Sequence, residues 1–358
     1  NISGRQVCMM LFEQGFLQGD DDYQALSSGR ISAYDFMSSC ISSKRITPAQ
    51  LALQPCSGSC VITDPNNGNV LALVSYPSYD NNRMSGTIDA DYYKQLNNDK
   101  SNPLYNWATQ AQNAPGSTYK VCTSIMALDM GIINSSTSFY CSGTFDKITP
   151  SPRCWVRSGH GTETVTTAIR DSCNLFFYNV GYNLALSNGL FDNTYATSVM
   201  QKYAEELGLA TMSGIEIAEK APSASNIDAV YSAIGQGNHA YSTLIDKITD
   251  NNGNLIRDNS AEVANVMNIS QSIWDTVHYG MNLVVNTYSA LSKVNLNFAA
   301  KSGTAQENKK EPDHAMMISY APYDNPQIAM AVSIPNGYSG SQASELTAKV
   351  LNLYFGLE

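Results

Sequence analysis

The spacing of apolar side chains changes rhythm along the chain. Residues 1–50 mix short helical patterns with polar loops such as QGDDDYQ. TPAQLALQP then leads into two apolar runs, CVIT and VLALVSY, on either side of a turn rich in Asp, Pro, Asn and Gly. That arrangement predicts a β-hairpin. Residues 82–112 are polar with scattered aromatics. From Ser117 the period becomes helical. STYKVCTSIMALDMG carries apolar residues at helical spacing and ends on Gly131, which predicts a helix entered at Gly116 or Ser117. TTAIRDSCNLFFYNVGYNLAL, SVMQKYAEELGL and NVMNISQSIWDTVHYGMNLVVN predict three more buried or amphipathic helical regions. The tail shortens its period again. FAAKSGTAQ, HAMMISYAPYD and QIAMAVSIPNG read as consecutive antiparallel strands, and SELTAKVLNLYFG as a closing helix. A hairpin first, helices in the middle and strands late predict an α+β fold. In it the early and late strands share one antiparallel sheet flanked by helices, with an all-helical subdomain between. One join is abrupt: IGQGNHAYS runs straight into TLIDKITDNNGNLI. The expectation is a missing stretch between Ser242 and Thr243, which a peptide map showing the two residues directly bonded would end.

Composition narrows the partners. At 358 residues and 43% hydrophobic content the chain can bury a large core. Its net charge of −10, with no basic run, argues against nucleic acid as a partner. No stretch reaches the roughly 18 apolar residues of a membrane span, and no signal peptide opens the chain. The sequence starts abruptly at NISGRQVCMMLFEQG, helical in spacing with no evident cap, so an anchoring segment before residue 1 is expected. Abundant Tyr, Asn and Ser with few charges suit an extracytoplasmic setting. Eight cysteines stand at 8, 40, 56, 60, 122, 141, 154 and 173, with no C-x-x-C. An exported protein pairs such an even set, most easily Cys56 with Cys60.

Three short motifs carry chemistry. PGSTYK places Ser117 and Lys120 three apart, on one face of a helix. A lysine there can take the serine's proton if burial lowers its pKa. Alone, this spacing arises often by chance. SCN offers Ser172 and Asn174, and by itself means little. KSGTAQ sits on a predicted strand with a cation, Lys301, a small residue, Gly303, and hydroxyls at Ser302 and Thr304 on a shared face.

In that order, S-x-x-K, S-x-N and K-[ST]-G resemble the signature of penicilloyl serine transferases. The chain is similar to the transpeptidase domain of class B penicillin-binding proteins, nearest the elongation type. VITDPNNGNVLALVSYPSYDNN, NWATQAQNAPGSTYK, CWVRSGHG, DSCNLFFYNVG, SAIGQGN and the strand-rich tail carry the resemblance. It spans residues 47–358 and leaves 1–46 as an N-terminal or linker remnant. It implies a peptidoglycan D,D-transpeptidase. Ser117 would attack a D-Ala-D-Ala stem peptide, with Lys120 as base. Ser172 and Lys301 would pass the proton to the leaving amine, and Asn174 would hold the substrate backbone. The N–H groups of Ser117 and Thr304 would form the oxyanion hole, and Ser302 and Thr304 would bind the substrate carboxylate. β-Lactams would acylate Ser117 and stay. No cofactor serves the chemistry. A separate glycosyltransferase would act alongside, at the outer face of the bacterial membrane. Lys-Ser-Gly stands where Lys-Thr-Gly is usual, keeping the hydroxyl. A serine β-lactamase or D,D-carboxypeptidase of the same fold is one alternative. A non-catalytic β-lactam sensor or scaffold is another.

Cys141, Cys154, His160 and Cys173 all precede or interrupt the S-x-N motif. From the residues alone two readings stand. One is a Cys141–Cys154 disulfide with Cys173 as a small buried hydrophobe. The other is a tetrahedral zinc set of three thiols and an imidazole. The resemblance implies a structural zinc here, with Asp171 as a substitute ligand. In either case Cys173 must point away from Ser172 and Asn174. The rest read blandly: His239, His278 and His314 as surface or loop, Cys122 as core, Tyr119 as lining the active-site groove, and Trp155 as groove or core.

Overall fold

The computed structural model describes residues 3–15, 17–43, 45–46, 57–99, 101–222, 230, 233, 247–249, 255–258, 266–306 and 312–357. Cys56, His239 and the Ser242–Thr243 join lie outside them. The chain falls into two compact units, residues 1–57 with 76–105, and residues 58–75 with 106–358. Residues 76–105, read in the sequence as part of the domain beginning at 47, therefore pack with the first unit.

The first unit holds helices α1 (Gly4–Glu13), α2 (Asp20–Ser27) and α3 (Ala33–Ser42), then α4 (Asn81–Met84) and α5 (Ala90–Asn98). The start of α1 is capped after all: the Ser3 hydroxyl accepts from Gln6 N–H, and the Gln6 side chain accepts from Ser3 N–H. α1, α2 and α3 contribute Cys8, Leu11, Leu26, Phe36 and Cys40 to one small core.

The second unit is built on a five-stranded sheet in the order β2-β1-β9-β8-β7. The strands are β1 (Gly58–Thr63), β2 (Val70–Tyr76), β7 (Ala299–Ala305), β8 (His314–Ala321) and β9 (Ile328–Ile334). The early hairpin joins the late strands through antiparallel β1–β9 pairing, as the periods predict. β8 alternates strictly, with Ala315, Met317, Ser319 and Ala321 buried. That face packs under the last helix, α11 (Gly340–Phe355), through Ala343, Ala348 and Leu351. The opposite face meets the helical layer: α6 (Lys120–Asp129), α7 (Val165–Arg170), α8 (Asn174–Leu186), α9 (Asn193–Glu206) and α10 (Gln271–Val285). α8 is apolar nearly all round and lies at the centre of this layer, with Phe176, Phe177, Val180 and Leu184 buried. β3 (Ser138–Cys141) pairs with β4 (Gly161–Thr164), and β5 (Lys247–Thr249) with β6 (Leu255–Asp258).

One sequence expectation needs correcting here. TTAIRDSCNLFFYNVGYNLAL reads as a single helical run, yet it is two helices, α7 and α8, broken at 171–173. Tyr119 is also core rather than groove: it is buried, and its hydroxyl donates to Met200 O at 3.3 Å. Cys122 is buried as expected. His278 lies half-buried on α10 against Tyr320, and His314 opens β8 and accepts from Asn336 N–H, so neither is a loose surface residue.

Candidate active site

Ser117 sits on a 3₁₀ turn, Gly116–Tyr119, that runs straight into α6. Two glycines set its distance from β7. Gly116 has φ of 52°, and a Cβ there would meet Thr304 O at 2.7 Å. A Cβ on Gly303 would meet Pro115 O at 2.7 Å. Only hydrogen at both positions lets the Ser117 turn lie flush against the K-S-G strand.

Lys120 follows one turn on and is fully buried. Its Nζ donates to Ser172 O at 2.8 Å, to Ser172 Oγ at 3.2 Å and to Asn174 Oδ1 at 2.6 Å. Lys301, equally buried, donates to the same Ser172 Oγ at 3.1 Å and to Ser302 O at 2.8 Å. Two lysines thus converge on one hydroxyl. Burial pushes the Lys120 amine down to about 7. Burial, and then the neighbouring charge of Lys120, hold Lys301 well below the ordinary lysine range. At neutral pH this pair does not carry two full charges, so it is suited to moving protons. Among the described residues no hydrogen bond joins Lys120 Nζ to Ser117 Oγ; the amine is turned into the S-x-N segment. Thr304 Oγ1 accepts from Gly340 N–H at 3.3 Å, at the start of α11.

The break between α7 and α8 has a defined geometry. Asp171 caps the C-terminus of α7, and Ser172 follows with φ of 51°. Cys173 N–H donates back to Ala168 O at 3.0 Å, and Ser172 N–H to Ile169 O at 3.4 Å. This is the Schellman pattern, with serine at the left-handed position that glycine usually fills. A left-handed L-residue costs about 1–2 kcal/mol. The same turn makes Cys173 buried while Ser172 and Asn174 reach Lys120. No glycine or proline marks the break, which is why spacing alone missed it.

Sequence reading also missed what braces this turn. Arg170 grips the Asp171 carboxylate with two bonds, 2.7 and 2.6 Å, which holds that carboxyl below its usual range. Glu163 is buried, and burial raises its carboxyl to about 7. Neither residue belongs to a motif.

Behind the turn, one ligand atom each from Cys141, Cys154, His160 and Cys173 lie within 4.8 Å of one another. His160 Nδ1 is 3.5 Å from both Cys141 Sγ and Cys154 Sγ. The Cys154 thiol is pushed down to about 4, first because the Cys173 thiol donates to it and also because the N–H groups of Leu175 and Asn174 at the start of α8 point at it. Cys173 is pushed up, by donating to Cys154 and by burial. The described cysteines are all free thiols, Cys141 and Cys154 included. An apolar cavity of about 530 Å³ is lined by Val61, Trp107, Val121, Cys122, Ile318 and Ala331 among others, and by neither lysine of the pair.

A family model described as the penicillin binding protein transpeptidase domain matches residues 58–352. This chain belongs to that family. Every residue of the lysine pair, the Ser172 turn and the cysteine cluster lies inside the match. Within the family, the chain is similar to peptidoglycan D,D-transpeptidase MrdA of Haemophilus influenzae, at 30% identity over 355 residues, covering 83% of this chain and 52% of that protein. It is similar to peptidoglycan D,D-transpeptidase PbpA of Mycolicibacterium smegmatis at 27% identity, covering 79% and 62%. The chain spans about half the length of the MrdA relatives it matches. Among solved structures it resembles Pseudomonas aeruginosa PBP2 in complex with WCK 5153, with a TM-score of 0.72 and 25% identity over 84% of this chain and 74% of that one. PBPA of Mycobacterium tuberculosis, at 21% identity and a TM-score of 0.71, shares the fold. The antiparallel sheet with flanking helices is thus the transpeptidase fold expected from the motif order.

Proposed function

We propose that this domain is a peptidoglycan D,D-transpeptidase acting through an acyl-enzyme on Ser117. The observation that carries the reading is the convergence of Lys120 and Lys301 on the Ser172 hydroxyl, beside a serine held flush to the K-S-G strand. Lys120, with its amine near neutrality, takes the Ser117 proton as Oγ attacks the carbonyl of the penultimate D-alanine. The N–H groups of Ser117 and Thr304 stabilise the oxyanion. The proton passes through Ser172, with Lys301 as its second partner, to the amine of the departing D-alanine as the C–N bond breaks. A second stem peptide's amine then attacks the acyl-enzyme and forms the cross-link. Asn174, whose Oδ1 is taken by Lys120, offers its amide N–H to the substrate peptide. Ser302 and Thr304 receive the substrate carboxylate. β-Lactams enter the same path and remain on Ser117.

The Cys141, Cys154, His160 and Cys173 set fits a structural zinc. A tetrahedron with Zn–S of about 2.3 Å and Zn–N of about 2.0–2.1 Å has S···N edges of about 3.5 Å. His160 Nδ1 has that separation from two sulfurs. When bound, the metal would supply cross-linking of the loop to α8 and no chemistry. The chain would work at the outer face of the bacterial membrane, held by an N-terminal anchor, beside a separate glycosyltransferase that supplies the glycan.

Labelled penicillin tests the reading. The expected result is a stable one-to-one adduct that Ser117→Ala abolishes, and cross-linking of a D-Ala-D-Ala stem peptide to an amine acceptor. Rapid nitrocefin turnover would make the protein a β-lactamase. Release of D-alanine without cross-linking would make it a carboxypeptidase. No Ser117-dependent label would leave the scaffold reading.

A further inference from the structure

Trp155 follows the cluster cysteine Cys154 and is 61% exposed, an unusual setting for the largest apolar side chain. It is nonetheless tied down at one point. Its indole Nε1–H donates to Asp171 O at 3.0 Å. Its ring meets His160 edge-on, with centroids 5.4 Å apart. Asp171 is the C-cap of α7, and its carbonyl is one of the four that a helix end leaves without an intrahelical donor. The next carbonyl, Ser172 O, is held by Lys120 Nζ at 2.8 Å. The two carbonyls belong to the peptides on either side of the left-handed residue Ser172. A donor on each holds those two peptide planes, whose rotation sets the φ and ψ of Ser172, and with them the direction of Ser172 Oγ.

We infer that Trp155 is a positioning residue for the reaction: its indole N–H holds the Asp171 carbonyl and so keeps the strained Ser172 turn aimed between Lys120 and Lys301. This gives the cysteine-bearing loop a second, direct hold on the S-x-N motif through an ordinary hydrogen bond, besides the Cys154–Cys173 contact. The inference rests on the transpeptidase reading above. It predicts that losing the N–H slows acylation without weakening the encounter with the β-lactam, because the indole N–H is taken by Asp171 O and acts through the Ser172 turn.

The test uses the whole chain, fluorescent penicillin and stopped-flow separation of the acylation rate constant from the prior binding constant. Two variants are compared: Trp155→Phe, which loses the N–H and part of the ring, and a chain with 3-benzothienylalanine at position 155, which keeps the bicyclic shape and loses only the N–H. Both are expected to acylate about three- to tenfold more slowly, with the binding constant within about twofold of wild type, since small misplacement of a reacting group costs rate rather than affinity. In a Ser172→Ala background, Trp155→Phe is expected to cause no further slowing, because Trp155 acts through Ser172. Bound metal, counted per chain, is expected to be unchanged. Wild-type rates from the benzothienyl chain would overturn the inference whatever Trp155→Phe does. So would an undiminished Trp155→Phe effect in the Ser172→Ala background, or equal losses in rate and binding. Absence of acylation in the wild-type chain would instead remove the transpeptidase reading itself.

Discussion

Ser172 occupies a left-handed turn position that chemistry, not conformation, assigns to serine. Replacing it separates the two demands. Ser172→Ala removes the hydroxyl and keeps a Cβ at φ of 51°. Ser172→Gly removes the hydroxyl and the Cβ. Both variants strip Lys120 and Lys301 of a shared acceptor, at 3.2 and 3.1 Å, so that loss cancels in the comparison. What differs is the left-handed cost of about 1–2 kcal/mol for an L-residue. Against it stands the greater freedom that glycine gives the unfolded chain, about 0.5–1 kcal/mol. The glycine variant is therefore expected to be more stable than the alanine variant by about 0.5–1 kcal/mol, read as the difference in urea midpoints at equal m-value. Acylation by labelled penicillin should fall about 10²–10⁴-fold in both, the range for removal of a positioned proton carrier. An alanine variant as stable as the glycine variant would refute the strain argument. A glycine variant that acylates at wild-type speed would refute the role of the hydroxyl.

Lys120, buried and lowered to about 7, gives a pH signature. Its neutral form is the base, so acylation should climb as pH rises through about 7, and Lys120→Met should leave a slow, flat profile. The linked stability term has the same sign. The unfolded chain keeps the lysine proton up to about 10.5 while the folded one has lost it above about 7. Lys120 should thus add stability as pH rises between those values, a slope measurable by urea titration and smaller in Lys120→Met, where buried Lys301 still contributes one of the same sign. Gly303→Ala puts a Cβ 2.7 Å from Pro115 O and should cost about 1–3 kcal/mol, with slower acylation because the Ser117 turn is pushed off β7; an unchanged melting temperature would contradict the close approach. Metal analysis should find one zinc per chain, and Cys154→Ser should lose it together with thermal stability. A metal-free chain carrying a Cys141–Cys154 disulfide by mass spectrometry would end the zinc proposal.

Much of this protein was legible in its sequence because the signals are local. Alternation along β8 and the turn between β1 and β2 follow from which neighbours are apolar. The motif order S-x-x-K, S-x-N, K-[ST]-G marked the residues that converge, because each motif is short enough to be read on its own element. Even the opposite directions of Cys173 and its neighbours followed from chain geometry. The tertiary structure alone decided how they meet. Lys120 and Lys301 are ordinary lysines in sequence; burial lowers both, and at Lys301 the neighbouring charge of Lys120 adds to it. The break at Ser172 carries no glycine, since the hydroxyl's contacts with two buried lysines outweigh the turn's preference. The braces on that break, Trp155 and Arg170, act through a backbone carbonyl and a carboxylate, bonds no residue spacing encodes. Local pattern fixes which residues are exposed to which face; long-range packing fixes their protonation and their aim, because both depend on water being excluded by parts of the chain far away in sequence.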